Sequence, residues 1–311
     1  MDDLADTQEL FKPQAAKRPE QDNEVASAQV QVDVAALTHR GKVRPKNEDQ
    51  FLVGRIDRDL EVLLTSLGED QISQHSRETG YGMIVADGMG GEEGGEVASR
   101  LAIKTLVELV IQTPDWLMRL DDELAEKLIR RTKDRYRKVD AAIRGEAQSN
   151  PSLARMGTTL TVAVSLGADL FVIHVGDSRT YLLRNGQLRQ LTRDQTVVQA
   201  LLDAGVLTRQ EAATHKMRHV LTQALGQQAG QLKIEVQRLK LEDGDCLLLC
   251  TDGLTEMVPD PEISAVLNNS GKAHEHCQAL LDKALDAGGK DNVTVVVAHY
   301  SLPTNKATRR G

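Results

Sequence analysis

Hydrophobic positions along the chain follow a two-residue period in short runs and a helical period in longer blocks between them. Val30, Val32 and Val34 alternate with polar residues across 29–38, the pattern of a half-buried strand. Further strands are predicted over 49–55, 82–86, 159–165, 170–175, 180–184, 187–190, 246–250 and 293–300. Asn185-Gly186 separates two of these runs, a hairpin signal that implies antiparallel pairing. Helical periodicity predicts one helix over 95–112, where Val97, Leu101, Leu106, Val107 and Val110 share a face and Pro114 stops it. A longer one is predicted over 116–146 through Leu117, Leu120, Leu124, Leu128, Val139 and Ile143. A third helical group covers 195–214 with a break at Ala204-Gly205, and a late helix covers 275–287. Strands come in runs with helices in pairs between them, which predicts antiparallel sheets with helices packed outside, an α+β class. It argues against a doubly wound nucleotide-binding fold, and neither a GxGxxG loop nor a phosphate-loop lysine motif occurs.

Composition narrows the reading. Hydrophobic residues make up 40% of the 311-residue chain but aromatics only 3%, so the core must be built from Val, Leu, Ile and Ala, with little left for base-stacking platforms. The net charge is −8 and no basic stripe is visible, which disfavours nucleic acid as a partner. Half of that charge lies in residues 1–24, where seven acidic side chains face three basic ones. With few large apolar residues, 1–27 is expected to be a disordered acidic tail, and 304–311 a loose C-terminal one. The opening MDDLADTQEL has no apolar signal segment, and no run approaches the ~18 apolar residues of a membrane span. A soluble, cytoplasmic protein with no membrane association is therefore expected. Cys246, Cys250 and Cys277 are odd in number and lack paired metal spacing, so they read as small core residues of a reducing compartment.

The informative residues are carboxylates at strand edges. Asp87 ends the apolar run MIVA, Asp252 follows CLLLCT, Asp291 precedes NVTVVV, and Glu48 and Asp49 enter another strand. A carboxylate at the rim of an apolar strand is costly unless a cation or hydrogen-bond donors satisfy it. Hard divalent ions such as Mg²⁺ or Mn²⁺ take such all-oxygen ligands. Each piece also has a plain reading: Asp-Gly is a common turn dipeptide, and Arg44 taken alone is a solvated surface charge. Together they support a metal site without specifying the reaction.

The segments Arg44-Pro-Lys-Asn-Glu-Asp49, Val85-Ala-Asp-Gly-Met-Gly-Gly91, Gly157-Thr-Thr-Leu160, Val175-Gly-Asp-Ser-Arg179, Cys250-Thr-Asp-Gly-Leu254 and Lys290-Asp-Asn-Val-Thr294 resemble, in order and spacing, the motifs of the metal-dependent (type 2C) serine/threonine phosphatases, bacterial branch. The resemblance runs from about residue 30 to 302 and implies a four-layer α-β-β-α sandwich around two central antiparallel sheets, a phosphatase domain over 28–303. It implies two Mn²⁺ or Mg²⁺ ions: Asp87 bridging them, Asp252 and Asp291 completing the first, the Gly88 carbonyl on the second, and Glu48 and Asp49 acting mainly through bound waters. Arg44 would hold the substrate phosphate, and a metal-bridging water would attack phosphorus in line without a phosphoenzyme. Asp177 is expected to support the site from beneath, and 192–226 to form a flap over it.

Two departures matter. Met89 stands where many eukaryotic members have a histidine, which leaves the general acid unassigned. Asn150-Pro-Ser-Leu153 replaces an acidic Pro-Asp-Leu context; Ser152 is a poor substitute for that carboxylate and puts a third ion in doubt. His215 and His219 have a helix-face metal spacing but no flanking glutamate motif, and read as flap packing over zinc binding. The resulting expectation is a monomeric phosphoprotein phosphatase whose partners include a serine/threonine kinase and its substrates. A pseudophosphatase that binds phosphoproteins without hydrolysis is the alternative; the intact acids and Arg44 argue against it.

Overall fold

The computed structural model describes residues 30–68, 71–72, 74–90, 93–112, 122–227 and 231–303. The first half contains β1 (Gln31–His39), β2 (Gln50–Glu61), β3 (His75–Ala86), β4 (Gly88–Met89), α1 (Gly94–Gln112), α2 (Asp122–Ser149), β5 (Gly157–Thr158), β6 (Leu160–Leu166) and β7 (Asp169–Val175). The second contains β8 (Arg179–Arg184), β9 (Gln187–Gln190), α3 (Val197–Asp203), α4 (Arg209–Thr214), β10 (Glu235–Lys240), β11 (Cys246–Cys250), α5 (Asp252–Thr255), α6 (Asp260–Asn268), α7 (Ala273–Asp286) and β12 (Val293–Ser301). One antiparallel sheet has the order β1-β12-β11-β8-β9 and a second the order β10-β7-β6-β3-β2, with β4-β5 a small ribbon.

Three hydrophobic layers hold these sheets and helices together. Met83, Val85, Ala163, Leu170 and Val172 of one sheet face Leu182, Leu247, Leu249, Val296 and Ala298 of the other. The opposite faces pack outward, Ile84, Leu160, Val162, Phe171 and Ile173 against α1 and α2, and Tyr181, Leu248, Val295 and Val297 against α6 and α7. Helix, sheet, sheet, helix is thus the order of layers, as the resemblance implies. Each central strand is buried on both faces, which is why CLLLC and the VVVA that follows Thr294 are unbroken apolar runs rather than alternating ones. The three cysteines are buried and unpaired within these layers.

Local chemistry accounts for several boundaries. Asn185 and Gly186 take positive φ (50° and 75°), the type I′ geometry that closes the β8–β9 hairpin. The third helical group is two short helices: Gly205 at φ 67° ends α3, and a Thr208–Glu211 capping box restarts the chain as α4. The β2–β3 hairpin runs well beyond its predicted length through polar residues such as Asp57–Glu61, because backbone pairing carries it where no apolar periodicity does. β10 and α6 were not predicted; α6 nevertheless carries Ile263, Val266 and Leu267 at helical spacing. Both expected tails and the predicted start of α2 at 116–121, with Pro114, lie outside the described residues.

Leu249 is fully buried between the sheets. Leu249→Ala should lower unfolding stability by about 2–5 kcal/mol, read as a lower urea midpoint with unchanged slope; a loss below about 1 kcal/mol would mean that this interface is not closely packed.

Candidate metal centre and active site

Antiparallel register brings the sequence-predicted acids to one end of the sandwich. Cys250, at the end of β11, lies opposite both Val295 and Arg179, while His39 lies opposite Val293. In the other sheet Gln50, at the start of β2, lies opposite Ala86, at the end of β3. Asp49, Asp87, Asp252 and Asp291 each stand within two residues of one of these strand ends, and Asp177 fills the β7–β8 turn.

Hydroxyl groups from both sheets fix the first two. Asp49 Oδ2 accepts hydrogen bonds from Thr251 Oγ1 (2.8 Å) and Thr294 Oγ1 (2.7 Å), so a residue entering β2 is bound to β12 and to the end of β11. The Asp87 amide donates to Thr159 Oγ1 (2.9 Å), its carbonyl accepts from Thr158 Oγ1 (2.8 Å), and Thr159 Oγ1 meets Ser178 Oγ (2.8 Å). The Gly157-Thr-Thr-Leu160 and Val175-Gly-Asp-Ser-Arg179 segments thus form the backing of Asp87. Arg179 makes a bidentate pair with Asp194 (2.6 Å at the shortest) and donates to Tyr181 Oη (2.9 Å), tying the root of the 192–226 segment to β8.

Asn292 organises the Arg44–Asp49 loop. Its Nδ2 donates to the carbonyls of Arg40 (2.9 Å) and Lys46 (2.8 Å), and its Oδ1 accepts from the Glu48 amide (2.7 Å). The glycines after the two Asp residues are close-contact positions, not turn residues of positive φ: a Cβ on Gly88 would collide with the Gly95 carbonyl, and one on Gly253 with that of Asn292. The turn reading of Asp-Gly therefore does not hold at either place. Ser99 Oγ donates to the Glu48 carbonyl (2.6 Å), joining α1 to the same loop.

Burial and mutual repulsion set the electrostatics. Desolvation pushes the Asp49 carboxyl up to about 7 despite its two threonine donors, with Asp252 and Asp291 adding to the effect. Desolvation and then Glu256 and Asp291 push Asp252 up to about 6, with the Asp87 carboxyl within hydrogen-bonding reach. Burial, followed by neighbouring carboxylates, raises Asp87 and Asp177 well above the ordinary range. Burial also raises Glu48. Asp177 therefore belongs to the same acidic cluster. Arg44 does not stand apart at the rim: its Nη2 donates to Asp291 Oδ2 at 2.6 Å, while Asp291 Oδ1 accepts from the Asn292 amide.

A divalent cation fits this arrangement. Asp49 Oδ1 and Asp252 Oδ1 are buried oxygens without a hydrogen-bond partner among the described residues, the unmet demand that a cation would satisfy. The donors are carboxylates, the all-oxygen chemistry preferred by Mg²⁺ and Mn²⁺. Asp49, Asp87, Asp252 and Asp291 can supply ligands, with Glu48 and the Gly88 carbonyl beside them.

Other expectations fall differently. Ser152 donates to Asn150 Oδ1 (2.8 Å) within the cap of the short 3₁₀ turn Pro151–Leu153. Met89 accepts a weak contact from Gln227 Nε2 (3.6 Å). His215 and His219 do not share a helix face, since α4 ends at Thr214 and His215 caps it. His219 instead pairs with Glu256, and burial together with Arg218 lowers its pKa. Glu256 was not singled out from sequence, although it lies one helical turn after Asp252, a legible spacing.

The protein phosphatase 2C family model matches residues 66–287. The serine/threonine phosphatase stp of Listeria welshimeri is 36% identical over 220 residues, covering 71% of this chain and 84% of that protein. The serine/threonine protein phosphatase PstP of Mycobacterium tuberculosis is 37% identical over 265 residues, 85% of this chain and 44% of that longer protein. Among solved structures, the M. tuberculosis phosphatase PstP/Ppp aligns with a TM-score of 0.70 and 35% identity over 87% of this chain and 99% of that one. The catalytic domain of PstP in complex with two manganese ions aligns with a TM-score of 0.68 and 34% identity, covering 88% and 99%. The chain belongs to the protein phosphatase 2C family.

Raised carboxyl pKa values have a definite sign for stability without metal. Below the unfolded values, near 4, the cluster is protonated in both states and costs nothing; as pH rises toward about 7, the unfolded chain releases protons that the folded one retains, and stability falls. Chelator-treated protein should therefore melt at a lower temperature at pH 7.5 than at pH 5, and Mn²⁺ should restore the difference at the higher pH. Equal melting temperatures at the two pH values without metal would contradict the electrostatic picture.

Proposed function

We propose that the protein is a metal-dependent serine/threonine protein phosphatase that hydrolyses phosphoserine and phosphothreonine with water as the nucleophile. The observation that carries this reading is the acidic cluster at one end of the two sheets, with two carboxylate oxygens that lack a partner among the described residues and an arginine bound to its Asp291. Family membership supports it, as does the serine/threonine phosphatase activity of the relatives. Two Mn²⁺ or Mg²⁺ ions are the cofactors, in line with the two manganese ions of the PstP catalytic domain. Bound there, such ions supply Lewis-acid polarisation of water and neutralisation of the phosphate charge.

The chain's own residues hold and orient. Asp87, Asp252 and Asp291 are the principal ligands, the Gly88 carbonyl a further one, and Glu48 and Asp49 act mainly through bound waters. Thr251 and Thr294 hold the Asp49 carboxylate, and Thr159 holds the Asp87 backbone. Arg44 is half exposed, so its guanidinium can exchange Asp291 for an incoming phosphate, which it would grip by charge-assisted hydrogen bonds. Hydrolysis breaks the bond between phosphorus and the seryl or threonyl oxygen; water contributes hydroxide to phosphate and its proton to the departing alcohol. No side chain need become phosphorylated.

The partners are phosphorylated proteins. A serine/threonine kinase acting on the same proteins, a monomeric state and a cytoplasmic location are parts of this proposal; among the described residues no helix is long and apolar enough to cross a membrane. The segment 192–226 is the flap over the site, and Ser152 leaves a third ion without a carboxylate at that position.

Phosphate release from a phosphothreonine peptide should depend on Mn²⁺ and stop with chelator, and Asp252→Asn should lower the rate by about a hundredfold or more while the protein stays folded. Arg44→Ala should raise KM about tenfold or more, the worth of a charge-assisted contact. No metal-stimulated release over a range of Mn²⁺ concentrations would refute the enzyme reading, and an unchanged KM would remove Arg44 from phosphate binding.

A further inference from the structure

A second set of donors lies against the acidic cluster, assembled from one helical turn and one residue of the 192–226 segment. α5 begins at Asp252, so Asp252 and Glu256 are four residues apart across a helical turn. Two like charges at that spacing destabilise a short helix unless something positive lies between them. His219 is delivered to them by the return of the segment: the Val197 amide donates to the Val220 carbonyl (2.8 Å), the Thr222 amide donates to the Gln195 carbonyl (2.8 Å), and Leu221 bridges to Thr196. His219 Nδ1 then meets Glu256 Oε1, and one ligand atom from each of His219, Asp252 and Glu256 lies within 4.8 Å of the others. Asp252 Oδ1, shared with the acidic cluster, is buried and has no hydrogen-bond partner among the described residues.

We propose that His219, Asp252 and Glu256 form an adjoining site for a first-row transition-metal ion of the Zn²⁺ type, which fastens the 192–226 segment to the acidic cluster. The proposal rests on the two-ion reading only through Asp252, which would serve both sites. An imidazole nitrogen with two carboxylate oxygens suits Zn²⁺ better than Mg²⁺, which prefers oxygen ligands and retains its waters. Three protein ligands leave room for a water, and the His219 side chain, 42% exposed, gives the ion a way in. Bound, the ion would link a segment anchored at Gln195–Val197 to the first turn of α5, so it would stiffen that segment without any new protein contact.

The decisive experiment counts Zn²⁺ ions retained by the full chain after equilibrium dialysis, by elemental analysis, for wild type, His219→Gln and Glu256→Gln. Glutamine at 219 can still hydrogen-bond Glu256 but is a poor Zn²⁺ ligand, so it separates a metal site from a simple His–Glu pair. Circular dichroism checks that each variant is folded. Three ions in wild type and two in each variant is the expected result, with Co²⁺ substitution giving visible absorption bands in wild type that weaken in both variants. Equal counts in wild type and both variants would overturn the site, whatever the number. One ion in wild type and none in the variants would uphold this site and show that Zn²⁺ does not fill the two-ion centre.

Discussion

Desolvation, compounded by mutual repulsion, of carboxylates at the ends of strands from two sheets is the constraint around which this molecule is arranged. Asp49 accepts two threonine hydrogen bonds, each worth roughly 1.5–3 kcal/mol to a charged acceptor, and its carboxyl is still driven up to about 7. Desolvation and like charge outweigh the protein's own donors. The frame nevertheless keeps the groups together: Asp49 is held across both sheets, Asp87 is backed by Thr159 and Ser178, and Gly88 and Gly253 let backbones approach where a Cβ would not fit. A protein that holds such a cluster without enough donors to satisfy it is built to bind cations.

The same frame connects chemistry to the surface. The dry layer between the sheets, lined by Leu247, Leu249, Val296 and Ala298, fixes the strand ends from which the acids project. Asn292 then holds the loop that carries Arg44 and Glu48, and Arg179 with Asp194 holds the root of the segment that carries His219. Under the proposed function, substrate contact and site closure would reside in loops, while most of the ligand set is mounted at the ends of packed strands.

Most of the architecture was legible in the residues. Doubly buried strands announce themselves as apolar runs, and the β8–β9 hairpin is written in Asn185-Gly186. The outer β2–β3 ladder was not, because facing residues such as Arg58 and Glu78 are charged and carry no apolar period. Strand-end acids pointed to a metal site, yet the reason for the Asp-Gly glycines emerged only from tertiary packing, since the collision at Gly88 involves Gly95 and that at Gly253 involves Asn292. The Arg44–Asp291 pair, 247 residues apart in sequence, could not be read from local pattern. Glu256 could have been, from its spacing to Asp252, but no motif drew attention to it.

The central claim is that divalent ions occupy the space between Asp49, Asp87, Asp252 and Asp291. Anomalous scattering from crystals grown with Mn²⁺ tests it most directly. The account predicts two strong peaks within coordination distance of the Asp87 carboxylate, one shared with Asp252 and Asp291. Manganese found only on exposed surface carboxylates, with the Asp49 and Asp252 oxygens still unpartnered, would contradict it.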